Sequence, residues 1–213
     1  IHVFDSGGRH VLAFGKQGKG PGEFERMGPM MLLPDGRLLV IDWLAQRTSF
    51  FSPEGQYLGG HPWRTRHYEL LWCDADSYAM DERIFAGEQS TLKIKTYSLD
   101  GEELLSFGEF TPDRPHLMTT RELSFAISVP YSPHSVFAAD RSRNRLFHCL
   151  NCRYVIEVYD GEAHLIRRID RPYTPLPFTD EDRQAYYDDV DRNPNKVFAK
   201  MARDVKLPDI KTV

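Results

Sequence analysis

Three stretches of this chain carry residue types whose spacing could do chemistry. The first is Gly15 to Gly22, Gly-Lys-Gln-Gly-Lys-Gly-Pro-Gly, where backbone N–H groups and two lysines could cradle an anion. A nucleotide phosphate loop ends in Gly-Lys-Ser or Gly-Lys-Thr, and a dinucleotide fingerprint runs GxGxxG from a strand into a helix. Neither spacing occurs here and both flanks read as strands, so the segment is expected to be a connection between structural units. The second stretch is Cys149 and Cys152, a single CxxC preceded by His148. A structural zinc site wants a second pair or added histidines at fixed spacing, and none is present. The pair straddles a turn between two expected strands, where residues three apart can approach closely enough to bridge. Packed or idle thiols come first among the readings, a disulfide second and a metal last. The third stretch is His61-Pro62-Trp63-Arg64-Thr65-Arg66-His67-Tyr68. Tryptophan and arginine dominate binding surfaces because they combine large contact area with directional hydrogen bonds. Against that stands the plainer reading that Trp63 packs between structural units while the arginines are solvated. His61 and His67, six apart in a loop, are weak metal candidates.

No local signature of catalysis accompanies these stretches. The chain has no nucleophile elbow and no HExxH motif, and no catalytic residue, metal ligand or cofactor is assigned.

The elements that must position these residues follow from composition and repeats. With 213 residues, 41% of them hydrophobic, the chain can bury a sizeable core. A formal charge of -4 gives no excess of cations for neutralising phosphates, which argues against nucleic acid as a partner; the clusters Arg64 to His67 and Arg141 to Arg145 read as solvated faces. No run approaches the roughly 20 apolar residues of a membrane span, and the N-terminus does not read as a signal peptide. Three cysteines are too few for a disulfide framework and leave the redox compartment open.

One plan recurs along the chain. Ile1 to Gly8, Thr48 to Gly55, Ile94 to Gly101 and Ile156 to Gly161 are each a short strand ending in an aromatic (Phe4, Phe51, Tyr97, Tyr159), followed by a turn that reaches a glycine. The glycines at 8, 55, 101 and 161 recur at intervals of 47, 46 and 60, the last containing an insertion. Blades of a β-propeller repeat at about 40 to 50 residues. A further apolar strand follows each glycine, and Arg37 to Asp42, Arg83 to Glu88 and Arg145 to Asn151 supply another upstream of it. Met30 to Leu33, Glu69 to Cys73 and Ser135 to Asp140 complete four strands in each of three units. The fold class expected is therefore all-β, a β-propeller of four-stranded antiparallel blades, about three and a half of them, the chain opening mid-blade. A closed six-bladed ring needs roughly 270 residues, so the sequence reads as a fragment of one.

The run DGRLLVID, an aromatic-ended strand, a glycine hairpin and a strand ending Phe-Gly resemble NHL repeats. Phe14 to Phe24, FGKQGKGPGEF, resembles the FGxxGxGPGEF signature of bacterial six-bladed propeller proteins. The likeness covers about residues 1 to 170. It departs after Asp42, where Trp43, Leu44, Ala45 and Gln46 replace the usual loop and only Arg47 keeps the pattern. The resemblance implies a non-enzymatic scaffold presenting propeller loops to a protein, peptide or glycan, exported to the periplasm or cell surface. The alternative it implies is a metal-dependent hydrolase or lyase of the lactonase or streptogramin-lyase type. Asp42, Glu88 and Asn151, at corresponding strand ends, are rim positions that hold a metal in such enzymes; they read first as residues bonding the turn backbone. Trp43, Arg47, Trp63, Arg64, Arg66 and His67 are the candidate binding residues.

The period changes at the end of the chain. Thr179-Asp180-Glu181-Asp182 has the form of a helix N-cap with acids in its first turn, and the run stops at Asn193-Pro194. A second run carries Val197, Phe198, Met201, Ala202 and Val205 at helical spacing. Residues 1–175 are thus expected to be partial propeller and 176–213 a helical inter-blade or C-terminal segment, docked through Tyr186, Tyr187, Val197, Phe198, Met201 and Val205.

Overall fold

The computed structural model describes residues 1–63, 69–84, 90–112, 116–119, 124–127 and 129–211, with 116–119 and 124–127 as backbone. Two compact units form: Ile1–Phe110 with Ala139–Arg145 and Tyr159–His164, and Thr111–Ala138 with Leu146–Val158 and Leu165–Val213.

The first unit opens on a hairpin of β1 (His2–Phe4) and β2 (His10–Ala13), followed by a two-residue parallel pair, β3 (Lys16–Gln17) and β4 (Glu23–Phe24). Four antiparallel strands follow in chain order, β5 (Met27–Leu32), β6 (Leu38–Asp42), β7 (Arg47–Phe51) and β8 (Tyr57–Pro62). A second meander repeats the order with β9 (Leu70–Cys73), β10 (Ser77–Ile84), β11 (Thr91–Ser98) and β12 (Glu103–Phe110).

Alternation along β6 explains how these sheets stack. Leu39 and Ile41 lie on one face in a cluster with Phe50 of the same sheet and Tyr78 and Met80 of the next, and Trp43, Trp63 and Tyr97 pack at its margin. Val40 faces the other way, into a cluster with Phe24 and Phe51 against which Ile1 and Phe14 pack. A strand buried on both faces cannot alternate apolar with polar, which is why the sequence reads Leu-Leu-Val-Ile without a break. Sheets of four antiparallel strands, each laid face to face on the next, are blades of a β-propeller.

A third blade has the same order, β15 (Ser135–Asp140), β16 (Arg145–Leu150), β17 (Val155–Tyr159) and β18 (Leu165–Asp170). Ahead of it stands a separate hairpin, β13 (His116–Thr119) with β14 (Ser124–Ile127), which accounts for the longer interval read from the sequence.

The turn joining the last two strands of each blade is built one way throughout. Gly8, Gly55 and Gly101 donate their N–H to the carbonyls of Asp5, Ser52 and Ser98 and have φ of 78°, 80° and 90°. The left-handed region strongly favours glycine. In the fourth copy the closing residue is Ala163, with φ 65°, bonded to the Asp160 carbonyl at 3.1 Å. Gly161 is therefore not the counterpart of the other three, which corrects the sequence register by two residues. Phe4, Phe51, Tyr97 and Tyr159 do occupy equivalent places, each directly before the turn's first residue. That residue is Asp or Ser because its side chain takes backbone N–H groups inside the turn: Asp5 those of Gly7 and Arg9, Asp160 those of Glu162 and His164.

The second strand of the second blade also needs correction. It runs from Ser77 to Ile84, so Arg83 to Glu88 is not that strand; Arg83 and Ile84 are its last two residues, and residues 85–89 lie outside the described ones.

In the second unit, the tail forms α1 (Asp180–Arg192) and α2 (Lys196–Arg203), both expected. Thr179 and Asp182 make a capping box, and Asn195 takes the Val197 and Phe198 N–H groups at 3.1 Å. Proline stops the first helix, and Tyr186 Oη donates to the Ala202 carbonyl across the pair at 3.0 Å. Val190, Ala199, Met201, Ala202 and Val205 are buried together, with Val129, Tyr186 and Phe198 partly buried beside them. Val197 stays exposed, because the packed stripe passes through Ala199 and Ala202 instead.

Candidate functional site

The end of the first blade that carries the β6 to β7 turn is built on one carboxylate. Asp42 ends β6 fully buried and accepts four backbone N–H groups: Glu25 at 2.8 Å, Arg26 at 3.0 Å, Leu44 at 3.2 Å and Ala45 at 3.1 Å. Burial alone raises its pKa, but the N–H groups of Ala45, Glu25, Arg26 and Leu44 outweigh that and leave it below the ordinary carboxylate value.

The same device recurs in each blade. Asp81, buried in β10, accepts the Glu69 N–H at 2.8 Å and the Arg83 guanidinium at 2.7 Å. Asn151, just past β16, accepts the His134 N–H at 2.8 Å and donates to the Ser132 carbonyl at 3.2 Å. Every pin catches the residue immediately before the first strand of its own blade. Asp42 performs the turn-bonding role expected of it, through Leu44 and Ala45, whereas Asn151 bonds the segment ahead of its blade. In the second blade the pin is Asp81, not Glu88, which lies outside the described residues. The sequence held a signal for it: Tyr-Ala-Met-Asp at 78–81 repeats the buried run and terminal acid of Leu-Val-Ile-Asp at 39–42.

Over the Asp42 pin the chain gathers aromatic and cationic side chains. The Trp43 backbone N–H donates to the Arg26 carbonyl at 2.9 Å, and the exposed Arg26 guanidinium lies 5.6 Å from the centre of the Trp43 ring. Leu44, at the tip of the turn, is 63% exposed. Trp63 joins this end through its backbone N–H, which donates to the Gln46 carbonyl at 3.0 Å, with its ring against the core. Both tryptophans are thus partly inserted between the blades and partly open. Arg47 points the other way: its guanidinium donates to the carbonyls of Lys19, Gly20 and Glu23. Of the six candidate binding residues the structure brings Trp43, Arg47 and Trp63 to one end of the blade; Arg64, Arg66 and His67 lie outside the described residues.

Arg47 also explains the glycine-rich loop. The anion cradled there is the chain's own Glu23, whose carboxylate takes the Gly20 N–H at 2.8 Å and the Lys16 ammonium at 3.1 Å. These two partners hold the Glu23 carboxyl below its ordinary pKa. A Cβ on Gly18 would sit 2.1 Å from the carboxylate, and one on Gly15 would sit 2.6 Å from the Phe24 ring. The glycines let the backbone wrap these two side chains, and the loop is a connection between blades, as its spacing implies.

The remaining chemistry-bearing residues are separate from this end. Cys149 and Cys152 carry free thiols and are partly exposed; Cys73 is buried, and burial pushes its thiol up to about 12. Among the described residues no group of three or more His, Cys, Asp and Glu is placed to hold a metal ion, and no helix is long and apolar enough to cross a membrane. Among the described residues, two of the clefts fall just short of the ~300 to 1,000 Å³ usual for small-molecule pockets. One, of about 290 Å³, is lined by Tyr154, Arg171, Tyr173 and Leu176, and one, of about 240 Å³, by Arg37, Phe50, His61 and Asp100.

No family model and no characterised protein matches the chain in sequence. Among solved structures it is similar to Hsv2 of Kluyveromyces lactis, at 9% identity and a TM-score of 0.37 over 71% of this chain and 53% of that one. It is similar to the dihydro-heme d1 dehydrogenase NirN at 16% identity, TM-score 0.34, over 73% of this chain and 42% of that one. Regucalcin from Agrobacterium tumefaciens strain C58, described as a calcium-binding protein, is similar at 10% identity, TM-score 0.25, over 76% and 81%. The chain spans little more than half the length of the Hsv2 structures it matches.

Proposed function

We propose that this chain is part of an NHL-like, six-bladed propeller that serves as a recognition scaffold, presenting blade-end loops to a protein, peptide or glycan. Residues 1–175 are its partial propeller and 176–213 a helical inter-blade or C-terminal segment. The observation that carries the reading is the Asp42 end of the first blade. There Trp43, Arg26 and Leu44 stand on a base fixed by four backbone hydrogen bonds, so the contact surface is pre-ordered and little entropy is lost on binding. The metal-dependent alternative is disfavoured because the Asp42 carboxylate already accepts four N–H groups and that of Asp81 a fifth together with a guanidinium.

The test is binding of the purified protein to peptide and glycan arrays, repeated with Leu44→Ala and Arg26→Ala. Both side chains are exposed, so the variants should keep the wild-type melting temperature and lose binding at least tenfold. Ligands bound equally well by wild type and both variants would refute this site.

A further inference from the structure

The third blade holds a three-residue relay that lies outside the recognition surface. Ser135 opens β15, His148 lies in β16 and Glu157 in β17, three strands adjacent in the sheet. Ser135 Oγ is 2.9 Å from His148 Nε2, and His148 Nδ1 is 3.0 Å from Glu157 Oε2. The Phe137 ring, two residues along β15 from Ser135, packs on the imidazole with ring centres 5.3 Å apart at 30°.

The order of partners favours one tautomer of the imidazole. An ionised carboxylate only accepts hydrogen bonds, so Nδ1 of a neutral His148 carries the hydrogen and Nε2 keeps its lone pair. The Ser135 hydroxyl then donates to Nε2. The His148 and Glu157 side chains are 12% and 23% exposed, so water competes weakly for these bonds while Ser135 stays half-buried and not sealed. A hydroxyl bonded to a base whose far nitrogen is held by a carboxylate is the arrangement that activates serine in acyl transfer on unrelated folds.

We propose that Ser135 is a nucleophile toward carboxylic esters with a small apolar acyl group, His148 its general base and Glu157 the positioning residue. Ser135 Oγ bonds to the ester carbonyl carbon as its proton passes to His148 Nε2. Collapse breaks the bond to the leaving oxygen, which departs as the alcohol with the proton held by His148. Water, deprotonated by the same imidazole, then attacks the acyl carbon and releases the carboxylic acid, and the proton returns to Ser135 Oγ. Ester and water give acid and alcohol, with no other reactant. Phe137, beside the base, supplies the apolar contact for the acyl group.

Labelling of the purified protein by an alkyl fluorophosphonate tests the assignment, with peptide mass spectrometry locating the adduct. The expected result is modification at Ser135, absent in Ser135→Ala and slowed at least ~100-fold in His148→Gln, the usual scale of a lost general base. Glu157→Gln preserves shape and removes the charge; it should slow labelling at least tenfold while the melting temperature stays within a few degrees, a split that a packing role alone does not give. Should His148→Gln fail to fold, the Glu157→Gln comparison decides. No adduct at Ser135 in the folded wild type, or equal rates in wild type and Glu157→Gln, would overturn the proposal.

Discussion

Replacing Asp42 by alanine removes the acceptor for four N–H groups at once, and their fates differ. Those of Leu44 and Ala45 sit in the exposed β6 to β7 turn, where water can replace the carboxylate, so their loss costs little. Those of Glu25 and Arg26 are held at 2.8 and 3.0 Å at the entrance to β5, against a carboxylate with no exposed surface. A hydrogen bond to a charged group contributes about 1.5 to 3 kcal/mol, and a buried donor left unpaired costs about 1 to 3 kcal/mol. Taking the lower end for two partly rescued donors gives a loss of about 3 to 4 kcal/mol for Asp42→Ala. Asp42→Asn keeps one acceptor oxygen and should lose about half of that. Urea denaturation monitored by tryptophan fluorescence measures both, since Trp43 donates to the Arg26 carbonyl and reports directly on the displaced segment. The pH dependence follows the sign of the shift. The folded pKa lies below the unfolded one, so the carboxylate's contribution is complete above the unfolded value near pH 4 and fades as pH falls through the lowered folded value. A loss under 1 kcal/mol for Asp42→Ala, or equal acid sensitivity in wild type and Asp42→Asn, would refute the reasoning.

Ala163→Gly should stabilise the protein by about 0.5 to 1 kcal/mol in the same denaturation assay, because Ala163 has φ 65° where the sister turns have glycine. Gly28→Ala should destabilise it by about 1 to 3 kcal/mol, since the new Cβ would come within 2.7 Å of the Trp43 ring, which is wedged against the core and cannot swing aside. Phe198→Ala should cost about 2 kcal/mol, below the ~3 kcal/mol of a fully buried phenylalanine, because Phe198 only borders the helix-pair core; faster limited proteolysis after residue 176 accompanies it. A thiol reagent at pH 8 should titrate Cys149 and Cys152 in the folded protein and Cys73 only after denaturant is added, as a thiol pushed up to about 12 is neither ionised nor reachable there.

Blades were legible in the sequence because the turns that close them are local. An Asp or Ser, a tight turn and an aromatic just before it are set by contacts within five residues, and they survive wherever the chain is read. Strand faces were legible in the first blade, where Leu38 to Ile41 is unbroken, and misread in the second. There Glu82 and Lys95 form a largely buried pair at 2.8 Å, placing charge inside the sheet where a sequence reading expects an end. Ala163 escaped notice because alanine gives no sign that it holds a left-handed turn. The Ser135, His148 and Glu157 relay was not legible at all: its members come from three strands, and nothing but the pairing of those strands brings them within 3 Å.

The recurring pin also decides where this architecture can accommodate new sequence. Because Asp42, Asp81 and Asn151 recapture the chain just before each blade begins, the path taken beforehand need not be specified by the blade itself. Between the first two blades that path runs only from Pro62 to Glu69, whereas before the third it extends from Phe110 to His134 and carries a whole extra hairpin. Lengthening a flexible connection adds only about 0.6 kcal/mol of closure entropy per doubling. The inter-blade connections are therefore ports for insertion: foreign epitopes or recognition peptides grafted ahead of Glu69 or His134 should leave the neighbouring sheets in register, and duplicated ancestral blades could diverge there first.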